Sequence, residues 1–284
     1  MIHQNKSLRT ADGIELNLNA WITEHAIADI IFCHGFMEHS GRYQDLAHYF
    51  CEHKINLFGF DTRHHGKSSG DPRAYLSDFS KLIQDFKQVF EYYRKDSNKP
   101  VFLFGHSLGG LVVVSFLLEH KEVQKEISGV LLSAPLLQPN ADMAPILQKL
   151  SGFVSALLPK LKTIKIDSSE ISRDPERIVA YDSDPLICRN GIHAKTGDVF
   201  LQQMKWIAER FDQLNCPFII QHSKSDKLTE HEGSKLLFEA ASSEDKVFIS
   251  LDAYKHEIFR DLGADQVLDD YWTWLSDRIP TSTL

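Results

Sequence analysis

The chain has 284 residues, 43% of them hydrophobic, and a formal charge of −8 at neutral pH. That length buries a full core as one elaborated domain, 1–284, and no Pro/Gly/Ser-rich hinge, low-complexity tract or internal repeat divides it. The acidic balance opposes polyanions, whose binders present basic faces, so nucleic acid is excluded as a partner.

The polar start Met1–Lys6 lacks the apolar core of a signal peptide, and no apolar run is long enough to span a bilayer, which gives the expectation of a soluble, cytoplasmic protein. Residues Leu8 to Ile22 hold Ala11-Asp12-Gly13 between alternating apolar positions and predict an antiparallel hairpin. The runs Ile30–Cys33, Asn56–Phe60, Val101–Phe104, Gly129–Leu132, Phe218–Ile220 and Val247–Ile249 are short and apolar throughout, as strands buried on both faces are. Helical spacing marks Tyr43–Glu52, Phe79–Arg94 with Asp78 as its cap, Leu108–Leu118, Ser234–Ala241 and Asp265–Arg278. Strands alternating with helices place the chain in the α/β class, with a mostly parallel central sheet and helices on both faces.

The alternation lapses after Pro135, and 136–200 is predicted to be an inserted helical cap. Its apolar stripe, Met143, Ile146, Leu147, Leu150, Phe153, Val154, Leu157, Leu158 and Leu161, is flanked by Lys149, Lys160, Lys162 and Lys165, and Pro159 ends or kinks its helix. Such a face usually packs on its own protein; bordered by lysines, it also suits transient contact with a membrane surface.

The most informative string is Gly105-His106-Ser107-Leu108-Gly109, between the strand ending at Phe104 and the helix from Leu108. It reads as a nucleophile elbow, a sharp strand-to-helix turn whose flanking glycines leave room for a serine in an unusual backbone conformation. The Leu108 amide opens the helix and is placed to bind an oxyanion, and His34-Gly35-Phe36-Met37, after the strand ending at Cys33, offers a second donor in the Phe36 N–H. Asp226 follows one late strand and His256 the last, so both share the carboxyl edge of the sheet with Ser107, in the chain order Ser, Asp, His. In that set His256 takes the serine proton and returns it to the leaving group, while Asp226 fixes the imidazole. His222 is the alternative to His256, and Asp252 or Glu230 to Asp226; Asp61 reads as structural. Gly66-Lys67-Ser68 lacks the upstream glycine of a phosphate loop, His34, Glu38 and His39 miss metalloprotease spacing, and Cys33, Cys51, Cys188 and Cys216 stand singly, so no metal is indicated.

Together with Tyr181-Asp182-Ser183-Asp184-Pro185-Leu186, the string His34 to Tyr43, the elbow and the loop Asp61 to Ser68 closely resemble monoacylglycerol lipases, and the likeness spans most of the chain. The resemblance implies an α/β-hydrolase fold with a mobile amphipathic cap that cleaves a single-chain acyl glycerol, a lipid ester, without any cofactor. It makes Ser107, Asp226 and His256 the triad and Phe36 and Leu108 the oxyanion donors. By the same likeness Glu38 and Arg42 pair to hold the oxyanion loop, Tyr181 hydrogen-bonds the glycerol head, and Cys188 is a thiol near the site. The chain departs from its animal relatives at Phe36, where they carry a small residue, and at Phe259, where they offer a further histidine. Lysophospholipase or broad carboxylesterase activity uses the same catalytic residues; a serine peptidase, or a catalytically silent binding module on the same fold, is more distant.

Overall fold

The computed structural model describes residues 1–95, 97–139 and 152–280. The apolar runs assemble into one sheet of eight strands: β1 (Ile2–Arg9), β2 (Glu15–Ile22), β3 (Ala28–Cys33), β4 (Ile55–Phe60), β5 (Val101–His106), β6 (Gly129–Ser133), β7 (Phe218–Ser223) and β8 (Lys246–Leu251). Their order is β1-β2-β4-β3-β5-β6-β7-β8. The hairpin β1–β2 is antiparallel, β2 pairs antiparallel with β4, and every pairing from β4 to β8 is parallel. Strands β3 to β7 are buried along their whole length because helices cover both faces.

One face packs under α2 (Ser80–Arg94) and α3 (Leu108–Glu119), with Phe86, Val89 and Phe116 in its core. The other packs under α1 (Gln44–Glu52) and the C-terminal helix Ala264–Ser276, where Phe50, Phe104, Tyr271 and Trp274 meet. The start of α2 is tied by Asp78, whose Oδ1 accepts the Ser80 N–H at 2.9 Å. Strand β7 runs three residues beyond the predicted Ile220, because Gln221, His222 and Ser223 are polar yet fully buried, each with a side-chain hydrogen bond inside the fold.

Between β6 and β7 the described residues hold a helical segment at 152–157 that stops ahead of Pro159, then the helices Pro175–Ser183 and Ala194–Ala208. Of the predicted stripe, Met143, Ile146, Leu147, Leu150 and the flanking Lys149 lie outside the described residues. Phe153, Leu157, Leu158 and Leu161 are 66%, 63%, 57% and 47% exposed. The helix Ala194–Ala208 turns Val199, Phe200, Met204 and Ile207 into the core beside α3. No helix among the described residues is long and apolar enough to cross a membrane.

Register aligns the sheet's carboxyl edge. His106 pairs with Ser133, Ser133 with Gln221, and Gln221 with Ile249, while Cys33 of β3 pairs with Gly105 of β5. The loops after β3, β5, β7 and β8 therefore leave from neighbouring points. The tightest approach is between β3 and α3: a Cβ on Gly109 would lie 1.9 Å from the Cys33 carbonyl oxygen, a backbone atom that no rotamer change can move. Gly109→Ala should therefore destabilise the protein by roughly 3 kcal/mol or more, as severe overpacking does. Urea unfolding checks this, and a midpoint equal to that of the wild type would contradict it.

Candidate active site

Ser107 sits between β5 and α3 with φ 54° and ψ −120°, a strained conformation for a residue bearing a side chain. Backbone bonds hold it there: its N–H donates to Ser133 O at 3.0 Å, and its carbonyl accepts from Gly110 at 3.0 Å and Leu136 at 2.9 Å. The loop after β3 lies against this turn, since a Cβ on Gly35 would be 3.3 Å from Ser107 Cβ and from His106 Cδ2. Phe36 and Leu108, the two predicted oxyanion donors, are the residues that follow Gly35 and Ser107 at this contact, one in the loop after β3 and one at the start of α3. Their backbone N–H groups make no hydrogen bond to another described residue. Next to Phe36, Met37 is buried with φ 65°, and its carbonyl accepts the Cys188 N–H at 3.0 Å. The Cys188 thiol is half-buried, and burial raises its pKa against the pull of Arg73 and Arg189.

His256 Nδ1 lies 2.7 Å from Asp226 Oδ2. Its ring is 4.7 Å from that of His106, the residue before Ser107. Asp226 is gripped from all sides: Oδ1 accepts the N–H groups of Leu228 at 2.8 Å and Thr229 at 3.1 Å, and Oδ2 accepts the Thr229 hydroxyl at 2.9 Å. Burial disfavours its ionised form, yet the charges of His256 and His222 and their hydrogen bonds outweigh that and hold the carboxyl well below the usual range. Burial likewise disfavours a charged His256, but the Asp226 carboxylate wins and the imidazole pKa is raised above its ordinary value of about 6.5. His106, buried and facing the His256 charge, is pushed down to about 4 and stays neutral.

The rival residues part company here. His222 also reaches Asp226, at 3.3 Å through Nε2, but it is wholly enclosed and its Nδ1 is 2.7 Å from the Ser234 hydroxyl, so it braces the carboxylate from behind. Asp252 is exposed and bound to Lys224 at 2.8 Å, while Glu230 stands at the start of the helix His231–Ala240. Asp61 accepts from Ser40 N at 2.8 Å, Asn17 Nδ2 at 3.0 Å and Lys67 N at 2.8 Å, the structural part predicted for it.

Glu38, Arg42 and Tyr181 come together beside the loop after β3. Glu38 Oε1 accepts the Gly35 N–H at 2.7 Å and the Tyr43 hydroxyl at 2.7 Å, and Oε2 accepts from Arg42. The Arg42 guanidinium lies 4.8 Å from the centre of the Tyr181 ring. Two residues at the site escaped the sequence reading. Thr229 was announced by its spacing, because an aspartate followed by a threonine three residues on commonly folds into a turn that bonds its own backbone. Glu257 had no signal: its partner, Arg42, is 215 residues away in the chain. Phe259, buried at 2% exposure, packs on His106 at 5.2 Å and Tyr43 at 5.3 Å.

Residues 24–263 match the family model described as serine aminopeptidase, S33. The monoglyceride lipases of Mus musculus and Homo sapiens are each 32% identical to the chain, over 277 and 280 residues, covering 96% and 97% of it and 90% and 91% of the relatives. The crystal structure of the Paleococcus ferrophilus monoacylglycerol lipase superposes with a TM-score of 0.81 at 26% identity, covering 93% of this chain and 99% of that one. A soluble variant of the Saccharomyces cerevisiae monoglyceride lipase, solved with a substrate analog, gives a TM-score of 0.88 at 21% identity, covering 99% and 96%, a likeness of fold. The architecture is that of the α/β-hydrolases.

The Asp226–His256 pair generates a titration test. Followed by NMR, His256 should titrate above about pH 6.5, and in Asp226→Asn, which removes the carboxylate that favours imidazolium, below it. A wild-type His256 titrating at or below that value would contradict the pairing.

Proposed function

The chain belongs to the family described as serine aminopeptidase, S33, and to that of the monoglyceride lipases, and from that premise we propose that it is a serine hydrolase of single-chain acyl esters, monoacylglycerol foremost, with Ser107, Asp226 and His256 as its triad. The observation that carries the reading is the 2.7 Å bond from His256 Nδ1 to Asp226. It spends the Nδ1 proton on the carboxylate and leaves Nε2 as the basic atom for the Ser107 hydroxyl.

Ser107 Oγ attacks the acyl carbon while His256 takes its proton. The imidazolium that forms is stabilised by Asp226, and the tetrahedral oxyanion by the N–H groups of Phe36 and Leu108, whose loss commonly costs about 3 kcal/mol of barrier per donor. Collapse expels the glycerol alkoxide, which receives the proton from His256 and leaves an acyl-enzyme on Ser107. Water, activated by the same imidazole, then releases the fatty acid. Every group in this cycle is an amino-acid side chain or amide, so the chemistry asks for no cofactor. Glu38 and Arg42 hold the oxyanion loop, and Tyr181 shapes the head-group end.

In this reading the described part of the expected cap, 136–139 and 152–200, presents the exposed Phe153, Leu157, Leu158 and Leu161, which touch lipid when the substrate is collected from a surface. The protein is then cytoplasmic and peripheral at membranes.

Purified protein should hydrolyse monoacylglycerol in preference to lysophosphatidylcholine, short nitrophenyl esters and an aminoacyl nitroanilide, and should label with a fluorophosphonate probe. Ser107→Ala should lose the label and at least about a thousandfold in turnover. Activity confined to lysophosphatidylcholine, to short esters or to the nitroanilide would replace monoacylglycerol as the substrate, and an unlabelled wild type would mean a silent binding module. On liposome flotation, the Leu157→Asp, Leu158→Asp variant should remain in solution where the wild type floats; equal partition would remove the membrane contact.

A further inference from the structure

The guanidinium of Arg42 ties together two loops that the chemistry needs in fixed relation. On one side it bonds Glu38, whose other oxygen accepts the Gly35 N–H one residue before the Phe36 amide. On the other it forks onto Glu257, the residue after His256, with Nη1 to Oε1 at 2.6 Å and Nη2 to Oε2 at 2.9 Å. Arg260 Nη1 adds a longer contact to Glu257 at 3.4 Å. The side chains of Arg42, Glu38 and Glu257 are only 5%, 6% and 4% exposed, so water cannot replace any of these partners. The far side of the His256 loop is fixed as well, by bonds from His256 N to Glu170 O at 3.2 Å and Glu257 N to Ile171 O at 2.8 Å.

We propose that Arg42 and Glu257 are positioning residues that lock the oxyanion loop to the histidine loop, so that the Phe36 amide and the His256 imidazole hold one geometry throughout the reaction. The inference rests on the triad and oxyanion roles proposed above. A buried ion pair is a poor way of stabilising a fold, because apolar residues of similar volume would serve as well. Its merit is directional: a forked guanidinium fixes both distance and plane. Arg42 cannot release either carboxylate without stranding a buried charge, so the two loops move together or stay put. Misplacement of a catalytic group by about 1 Å is enough to cost on the order of a hundredfold in rate.

The test is a kinetic double-mutant cycle on the full chain, with monoacylglycerol as substrate and Ser107→Ala as the control. Glu257→Gln and Glu38→Gln should each lower kcat about tenfold or more with KM within about twofold, and the double variant should be little worse than the weaker single one, because one device has been broken twice. Losses that multiply, a rise in KM at unchanged kcat, or a folded Glu257→Gln with wild-type kcat would each overturn the proposal. If Glu257→Gln fails to fold, Arg42→Lys keeps the charge inside the network but cannot fork: folded and slowed, it supports the lock, and folded with wild-type kcat it overturns it. Activity surviving in Ser107→Ala would instead bring down the function on which the inference rests.

Discussion

Everything at the site depends on how closely the end of β3 approaches the start of α3. The Cys33 carbonyl occupies the space that a side chain on Gly109 would need, and Gly35 is pressed against Ser107 and His106 in the same way. Because those backbones touch, Phe36, the residue after Gly35, and Leu108, the residue after Ser107, start from neighbouring points. The strain of Ser107, at φ 54°, is sustained by backbone bonds to β6 and to the first turn of α3, so it belongs to the fold and needs nothing from a ligand.

The parallel register extends this constraint across the sheet. Once His106, Ser133, Gln221 and Ile249 lie in one row, the loops carrying Asp226 and His256 must start beside the elbow. The remaining work falls to turns. Asp226 is bound by Leu228, Thr229, His222 and His256 together, leaving little freedom to rotate, and this fixes which imidazole nitrogen carries the proton. The two histidines that reach this carboxylate differ in their surroundings: His222 is wholly enclosed and bonded to Ser234, and His256 packs against His106, the residue before Ser107.

Most of the sheet was legible in the chain because doubly buried strands are apolar at every position, and the elbow because glycine spacing is a local property. What stayed hidden was non-local. The polar end of β7, Gln221 to Ser223, is strand only because its partners lie elsewhere in the fold: Val267 O, the Ser234 hydroxyl and Tyr254 O. The choice between His222 and His256 rested on chain order alone, since either could follow a strand. Glu257, next to His256, looks like any surface glutamate until Arg42 is brought to it from 215 residues away.

Phe259 gives the layer beneath His106 and Tyr43 an aromatic character. Phe259 packs edge-on against His106 and Phe104 and tilts on Tyr43, whose hydroxyl is spent on Glu38. This aromatic layer is closed to solvent, so charges beside it are poorly screened. Under those conditions two nearby carboxylates, Glu38 and Glu257, need neutralising cations at hand, and Arg42 and Arg260 supply them. Burial opposes ionisation of both acids, yet both are held below the usual carboxylate range, Arg42 being the main opposing charge. Enclosed aromatic packing and a buried ion-pair network are therefore two aspects of one arrangement: the packing that keeps solvent from Glu38 and Glu257 also makes their bonds to Arg42 costly to break.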